Sequence, residues 1–564
     1  MEIKLKSIMG KDKTATVGKI NVSVGDTVET GQVILQLETK KGNSPVKSEI
    51  SGTVEEILIS EGQTVEVGQT LICVKSESGG AATPKLDYFA GMINGKKEDI
   101  NTDILIIGGG PGGYVAAIHA AKNGRKVVLA ERKAMGGTCL NEGCIPTKAI
   151  VKSAELFEHI KNADEFGLEV KDARADMSKI IDRKNSIKDT LVSGIEYLMN
   201  KNEIRVIKGS ASFVDERTVS VKSGRDEYTV EAENIIIATG STSSTLKIPG
   251  IDNEFVMNST KALDCRDNMD CVTIIGGGVI GMEFAFIYSN LGMKVNVVEY
   301  FDRVLTMVDS DVSEEICKIA KQRGIGIHTG SKVTRIGREE NGKAVVFFEK
   351  DGTERFITSD KVLVATGREP DVQGLELENT GAAANENGRG IAVDSGMRTS
   401  VKHIYAIGDV NSRMQLAHVA SHEGMVAVDN ILGKDAHMDY TAVPNVIFTS
   451  PEIANVGLTE DAALREGLNI SVSKFPFGAN GKALTMGESE GFVKLIKDLD
   501  TGGIIGGAII GPEASALIST LTMMINSRIS EEEIIHTVFA HPTTGESIHE
   551  AVLGLGKGAF HYHE

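Results

Sequence analysis

Two cysteines, Cys139 and Cys144, stand with four residues between them in "GGTCLNEGCIPTKA" (136–149), in a chain that has only six cysteines in 564 residues. Such a pair suits a metal site, a structural staple, two incidental core thiols or a disulfide that cycles. A zinc site wants about four ligands, and no second Cys or His pair lies nearby in sequence. The glycines, with Asn141, Glu142, Pro146 and Lys148, make a poor core segment. So sparse a cysteine usage is not the framework of a secreted protein. A redox disulfide fits better. Thiols at a helix start have lowered pKa values and supply the thiolate that exchange needs at neutral pH. Both cysteines are accordingly expected on one turn at the start of a helix.

Two further stretches could hold dinucleotides. "DILIIGGGPGGYVAAIHAAKNGRKVVLAER" (103–132) and "CVTIIGGGVIGMEFAFIYSNLGMKVNVVEY" (271–300) each read as strand, glycine turn, helix and strand. Their glycines are Gly108, Gly110 and Gly113, then Gly276, Gly278 and Gly281, and each second strand ends on an acid, Glu131 or Glu299. Each acid falls 23 residues after its first glycine. Glycines let the backbone approach a pyrophosphate, the helix start offers amide hydrogens, and the acid accepts from ribose hydroxyls. A lone glycine motif would mark only a tight turn. The surrounding pattern makes these two dinucleotide-binding units. Glu299 would repel a 2′-phosphate, which favours NAD over NADP at the second unit, although Arg303 lies four residues on.

The elements around these sites follow from composition and repeats. A net charge of -18 disfavours nucleic acid and other polyanions. "MEIKLKSIMG" lacks the apolar core of a signal peptide, and no apolar run approaches a membrane span. With the few cysteines, this reads as a cytoplasmic protein. At this length several domains are expected. "VSVGDTVETGQVILQLE" (22–38) returns as "ISEGQTVEVGQTLICVK" (59–75), offset by 37 residues, with Gly25 matching Gly62 and Gly31 matching Gly68. Two such copies predict a pseudo-symmetric β-sandwich over 1–75, with Lys40-Lys41-Gly42 at a hairpin turn. Residues 76–101 read as a linker.

From about 102 onward the chain resembles the flavin-dependent disulfide oxidoreductases. The resemblance is carried by "GGTCLNEGCIPTKA", "IIIATGS" (235–241), "VLVATGR" (362–368), "IYAIGDV" (404–410) and "HPTTGE" (541–546). It implies an α/β architecture with two Rossmann-like dinucleotide-binding domains and an α+β dimerisation domain, preceded by the small all-β lipoyl-like sandwich. The implied boundaries are 102–249 and 372–439 for the FAD-binding domain, 250–371 for the NAD-binding domain and 440–564 for dimerisation. Cys139 would be the thiol that meets substrate and Cys144 the flavin-side thiol. Lys148 would lie near the flavin and pair with Glu283. His541 would be the base, oriented by Glu546. FAD would be held by Gly108, Gly110, Gly113, Glu131, Thr138, Lys148, Ala211, Thr239, Gly240, Asp409 and Ala417. NAD would be held by Gly276, Gly278, Gly281, Glu283, Glu299, Val333 and Gly367. The base would come from the partner subunit, which implies a homodimer. Two departures stand out: Gly545 replaces a usual serine, and Phe539 stands where a histidine is common in the members that act on dihydrolipoamide.

Within that family, mercuric reductases need a C-terminal cysteine pair, and here the last cysteine is Cys317. Glu299 argues against the NADPH preference of glutathione reductases. The N-terminal repeat resembles lipoyl and biotinyl domains. Biotinyl domains flank their lysine with methionines, whereas this chain has Glu38-Thr39-Lys40-Lys41-Gly42, a lipoyl-like pattern with Lys40 in place of aspartate. The resemblance therefore implies a lipoyl group on Lys41. It also implies oxidation of dihydrolipoyl groups through Cys139–Cys144 and FAD to NAD, serving the acyltransferase and other subunits of a 2-oxo acid dehydrogenase or related complex. The alternatives are a glutathione-reductase-like enzyme and a non-catalytic lipoyl carrier.

Overall fold

The computed structural model describes residues 2–5, 14–28, 31–39, 42–48, 52–75 and 95–563. The chain divides into two compact units, Met1–Asn94 and Gly95–Glu564.

In the first unit the repeat builds two four-stranded antiparallel sheets. One runs Glu2–Lys4, Thr70–Lys75, Gly52–Ile57, Thr27–Val28; the other runs Gly42–Lys47, Val33–Thr39, Thr14–Ile20, Thr64–Glu66. The two copies exchange sheets, because the first contributes Thr27–Val28 to one sheet and Val33–Thr39 to the other, and the second does the reverse. Matched glycines occupy matched turns, Gly25 and Gly62 at φ 97° and 84°, Gly31 and Gly68 at φ 93° and 96°. Only glycine takes this conformation without strain. Val28, Ile34, Leu35, Val65, Leu71, Ile72 and Val74 close the core, each fully buried. Thr39 pairs with Gly42 across the central hairpin, while Lys40 and Lys41 lie outside the described residues.

Among its described residues the second unit contains five sheets; two with parallel central strands and the larger antiparallel one frame the site, beside antiparallel sheets of three and two strands. In the first, Arg205–Lys208, Val127–Glu131, Lys97–Ile107 and Asp226–Ile237 lie side by side in parallel, with Ile404–Ala406 beyond. Its central residues, Ile104 to Ile106 and Val128 to Ala130, are buried without alternation, as strands covered on both faces must be. The first strand begins at Lys97, inside the stretch read as linker. "KEDIN" is polar and carries no strand signal of its own; pairing of Lys97 to Asn101 with Glu227 to Glu231 extends the strand.

The second parallel sheet runs Val256–Asn258, Lys361–Val364, Cys271–Ile275, Lys294–Val298, Gly326–His328. The antiparallel sheet, Asn445–Ile447, Glu452–Gly457, Ile504–Gly511, Phe492–Asp498, Ile470–Pro476, packs against helices Ala514–Asn526 and Glu546–Gly554. Among the described residues no helix is long and apolar enough to cross a membrane.

Candidate active site

Both glycine motifs turn a strand into a helix in the same way. Gly108 and Gly276 take φ 113° and 108°, and a Cβ on either would stand 2.2 or 2.5 Å from a carbonyl of the neighbouring strand segment. Helices Pro111–Lys122 and Val279–Asn290 follow at once, the first with proline in its opening turn, where the missing N–H is harmless. The third glycines serve packing. A Cβ on Gly113 would meet the Gly108 carbonyl oxygen at 1.9 Å, and one on Gly281 the Gly276 oxygen at 1.9 Å. The middle glycines face outward: Gly278 has nothing within 4 Å of its Cβ position, and Gly110 only the Gly137 Cα at 3.9 Å. This leaves bare backbone where a pyrophosphate must come close.

The two acids are tied to their own loops. Glu131 accepts from the amides of Gly109 and Lys133, each at 2.7 Å. Glu299 accepts from the amides of Gly277 and Phe301. A carboxylate offers about four lone-pair positions, so each acid is held in place with capacity left for ribose hydroxyls. The donor sets fit two dinucleotides.

The cysteines are not on one helical turn. Cys139 belongs to a short helix, Gly137–Asn141, and Cys144 opens the separate helix Cys144–Lys161. Gly143, at φ -148° and ψ -112°, breaks the helical path between them. Both are free thiols here, and they hydrogen-bond to each other. That bond, with burial, pushes the Cys139 thiol up. Donation from Cys139 pulls Cys144 down to about 7, burial opposes the shift, and the Lys148 ammonium reinforces it. Lys148 lies one turn along the same helix, so i,i+4 spacing puts its charge on the Cys144 side. Protein packs Cys144 on most sides, yet its surface is exposed because it opens into a cavity.

Three parts of the fold meet at Lys148. Its Nζ contacts both Glu283 oxygens at 2.7 and 2.9 Å and lies 4.5 Å from the Phe448 ring centre. Glu283 Oε1 also accepts the Phe448 amide at 3.0 Å. Asp409, in the turn Gly408–Asn411, is pushed up by burial, against a hydrogen bond from Ser241 and the charge of Arg368. Arg368 donates to the Ser241 hydroxyl at 2.7 Å and to its carbonyl at 2.6 Å. The turn is held from beneath by Glu423, which accepts from the Gly408 amide at 2.6 Å, Asn411 at 2.9 Å and the Tyr440 hydroxyl at 2.6 Å.

A continuous cavity of about 2230 Å³ runs past these groups. It is lined by Cys139 and Cys144, by Gly108, Gly110, Glu131, Thr138, Lys148, Ala211, Thr239, Gly240, Asp409 and Ala417 of the expected FAD set, and by Gly276, Gly278, Glu283, Glu299, Val333 and Gly367 of the NAD set. Gly113 and Gly281 are absent from the lining because they support from below. His541 and Glu546 do not line it either. His541 is exposed, with Nδ1 2.9 Å from Glu546 Oε1, and the Thr543 amide donates to Glu546 Oε2 at 2.9 Å. Among the described residues no cluster of metal-ligating side chains occurs.

Sequence reasoning missed Ser241, Arg368, Phe448 and Glu423. Three carried a signal: Ser241 and Arg368 close the motifs "IIIATGS" and "VLVATGR", and Glu423 is the one acid in the run "AHVASHEGMVAV" of helix Ala417–Ile431.

A dithiol set where two dinucleotide cradles share one cavity defines a flavin- and nicotinamide-linked disulfide oxidoreductase. The chain belongs to the pyridine nucleotide-disulphide oxidoreductases, matching that family's model over 102–424 and its dimerisation domain over 443–552. Residues 5–74 match the biotin-requiring enzyme domain, which also describes lipoyl domains. A dihydrolipoyl dehydrogenase of Bacillus subtilis is 40% identical over 453 residues, 80% of this chain and 98% of that protein. One from Haloferax volcanii is 41% identical over 80% of this chain and 95% of its own. Among solved structures, LpdA from Mycobacterium tuberculosis is similar at TM-score 0.76 and 27% identity, covering 81% of this chain and 100% of its own. The HOCl-induced flavoprotein disulfide reductase RclA from Escherichia coli is similar at TM-score 0.72 and 29% identity, covering 80% and 99%.

Proposed function

We propose that this protein is a dihydrolipoamide dehydrogenase with a fused lipoyl domain. The observation that carries the reading is the Cys139–Cys144 pair opening into a cavity shared by two dinucleotide cradles. With the pair oxidised, His541 takes a proton from a dihydrolipoyl thiol, and the resulting thiolate attacks the Cys139 sulfur. The Cys139–Cys144 bond breaks as the mixed disulfide forms, and Cys144 leaves as a thiolate, stabilised by Lys148. The second substrate thiol attacks the substrate sulfur of the mixed disulfide, the bond to Cys139 breaks, and the thiol's proton passes to the departing Cys139 sulfur; cyclic lipoamide is released and the pair is left as a Cys139 thiol and a Cys144 thiolate. Bound FAD and NAD would supply the two-electron path from that dithiol to a nicotinamide. Glu283 fixes Lys148, and Asp409, Glu131 and Glu299 hold the cradles' polar contacts.

Glu299 favours NAD, since a 2′-phosphate would face a fixed carboxylate. The dimerisation domain supports a homodimer in which His541 serves the other subunit's cavity, consistent with its place outside its own. Lys41 would carry the lipoyl group. Tethering that arm to the enzyme that reoxidises it raises its local concentration toward about millimolar. The natural partners would be the acyltransferase and other subunits of a 2-oxo acid dehydrogenase or related complex in the cytoplasm.

Steady-state assays with free dihydrolipoamide and NAD, beside glutathione disulfide with NADPH, test the activity. Turnover of the first pair alone is expected, and a preference for the second would replace this reading. Mass spectrometry of protein from its host should find the lipoyl adduct on Lys41; unmodified Lys41 would remove the tethered arm.

A further inference from the structure

A lysine that the disulfide chemistry does not use is buried where the second dinucleotide unit meets the C-terminal domain. Lys494, in the strand Phe492–Asp498, is 1% exposed in its side chain, and its Nζ reaches three carboxylates: Glu460 at 2.7 Å, Asp311 at 2.8 Å and Asp309 at 3.1 Å. Asp309 and Asp311 stand at the start of helix Ser310–Gln322, 185 and 183 positions away in sequence. Glu460 opens the helix Glu460–Arg465. Burial works against the charge on Lys494. Hydrogen bonds to Asp311 and Glu460 and the charges of Asp309 and Asp311 outweigh it and hold the pKa above its ordinary value. Lys474 shares Asp311 at 2.6 Å.

Asp309 occupies the N-cap position of its helix yet makes no cap hydrogen bond there. An aspartate in that place ordinarily accepts from amides of its own first turn. Here the oxygen that meets Lys494 accepts the Glu460 amide at 2.7 Å instead, joining two helix starts that lie 151 positions apart. The loop that leads into Asp309 is tied at its other end too. The Leu305 amide donates to the Gly277 carbonyl at 2.9 Å, in the glycine turn of the second cradle, and the Ser313 hydroxyl donates to the Val304 carbonyl at 2.7 Å. Leu305 is held at φ 49°, a left-handed conformation that a leucine keeps only where its surroundings impose it. Both tied segments line the cavity, Arg303, Thr306 and Met307 from the loop, Thr459 and Ala462 from the helix start. Arg303 spans them: its Nη2 donates to the Thr306 carbonyl at 3.2 Å and lies 3.8 Å from Asp461 Oδ2.

We propose that Lys494 is a positioning residue for the nicotinamide dinucleotide. By tying Asp309 to Glu460 it sets the loop after Glu299 against the helix start at Thr459, and so fixes this wall of the second cradle before the ligand arrives. The inference rests on the reading of the second unit as the NAD site. A buried ion cluster adds little stability over apolar side chains of the same volume, but it demands one geometry of its partners. Without the lysine, three carboxylates are left crowded together and the two segments move apart. A wall already in place spares the ligand the cost of ordering it. NAD affinity, rather than the chemistry at the cysteines, is therefore what depends on Lys494.

The experiment compares native holoenzyme with Lys494→Met and Asp309→Asn. Titration calorimetry measures NAD binding to the oxidised protein, and stopped-flow absorbance follows reduction of the flavin by free dihydrolipoamide without NAD. The expected result in Lys494→Met is an NAD Kd raised about three- to thirtyfold, the range for residues that act on a ligand through others. A smaller rise is expected in Asp309→Asn, with the flavin reduced at the native rate in both. If Lys494→Met, with its uncompensated carboxylates, does not fold, Asp309→Asn decides, because it keeps the shape and an acceptor for the Glu460 amide. A native NAD Kd in the folded variants overturns the proposal alone. A lowered Tm beside a native Kd does so too, since the cluster would then serve stability only. Equal losses in NAD affinity and in flavin reduction also overturn it, as the mark of a general distortion. Native holoenzyme that does not bind NAD removes the reading of the second unit and this proposal with it.

Discussion

At the scale of single residues, the division of labour in the cysteine pair comes from asymmetry of surroundings. Cys144 has a hydrogen bond from Cys139 and an ammonium one helical turn away, while Cys139 has neither a cation as close nor an open face of the same kind. The proton therefore stays on Cys139 and the charge on Cys144. With the Cys144 pKa lowered to about 7, the thiolate fraction of the reduced pair rises as pH increases through that value and falls below it. The long-wavelength absorbance of the two-electron-reduced holoprotein is expected to follow this titration. Lys148→Met removes the cation and should move the midpoint upward, by about a unit or more for a partly buried pair. A midpoint that ignores Lys148 would show that the helix start and Cys139 alone hold the thiolate. The sequence made the pair legible through residue types and spacing. It did not disclose that Gly143 divides the two cysteines between separate helices, because local spacing alone could not show that break.

At the scale of elements, the glycine turns show what a motif specifies. The outer glycines of each motif have different tasks: Gly108 takes a left-handed φ, and Gly113 lets the helix sit on the strand end. Gly113→Ala would drive a Cβ to 1.9 Å from the Gly108 carbonyl, against backbone rather than a movable side chain. A loss of about 1–3 kcal/mol is expected, with a lower Tm in the flavin-free protein and weaker FAD retention. Thermal melts of the apo and reconstituted proteins check this, and an unchanged Tm would mean that the helix shifts without penalty. Strand, turn, helix and terminal acid were all legible, because hydrophobic period and glycine placement are local signals. The polar start of the strand Lys97–Ile107 was not. Its pairing with Glu227 to Glu231 joins residues 130 positions apart, as in Lys97 with Glu227, and no local pattern reports that.

At the scale of the molecule, the cavity of each chain is not lined by His541, the base proposed above. His541 and Glu546 are preassembled on the C-terminal domain but do not line the cavity that contains Cys139. If the homodimer supplies the base across subunits, Cys139→Ser and His541→Gln chains should each be inactive. Unfolded, mixed and refolded together, they should regain activity, since half the heterodimer's sites would combine an intact Cys139 with an intact His541. About a quarter of native activity is expected from random pairing, on the premise that paired subunits obey closed two-fold symmetry. Absence of recovery, with heterodimers demonstrated by tagged chains, would place the base in the same chain.

The sequence by itself determined the parts: a close cysteine pair in a cysteine-poor chain, two glycine turns with their acids, and a repeated N-terminal strand pattern. These are written in residue type and short-range period, which the backbone must obey wherever the chain goes. Tertiary structure decided how the parts are held. Glu283 binds Lys148 from 135 positions away and takes the Phe448 amide from 165, and buried Glu423 fixes the Asp409 turn through Gly408, Asn411 and Tyr440. A buried carboxylate must find donors wherever the fold brings them, and those donors are set by the packing of sheets and helices far apart in sequence.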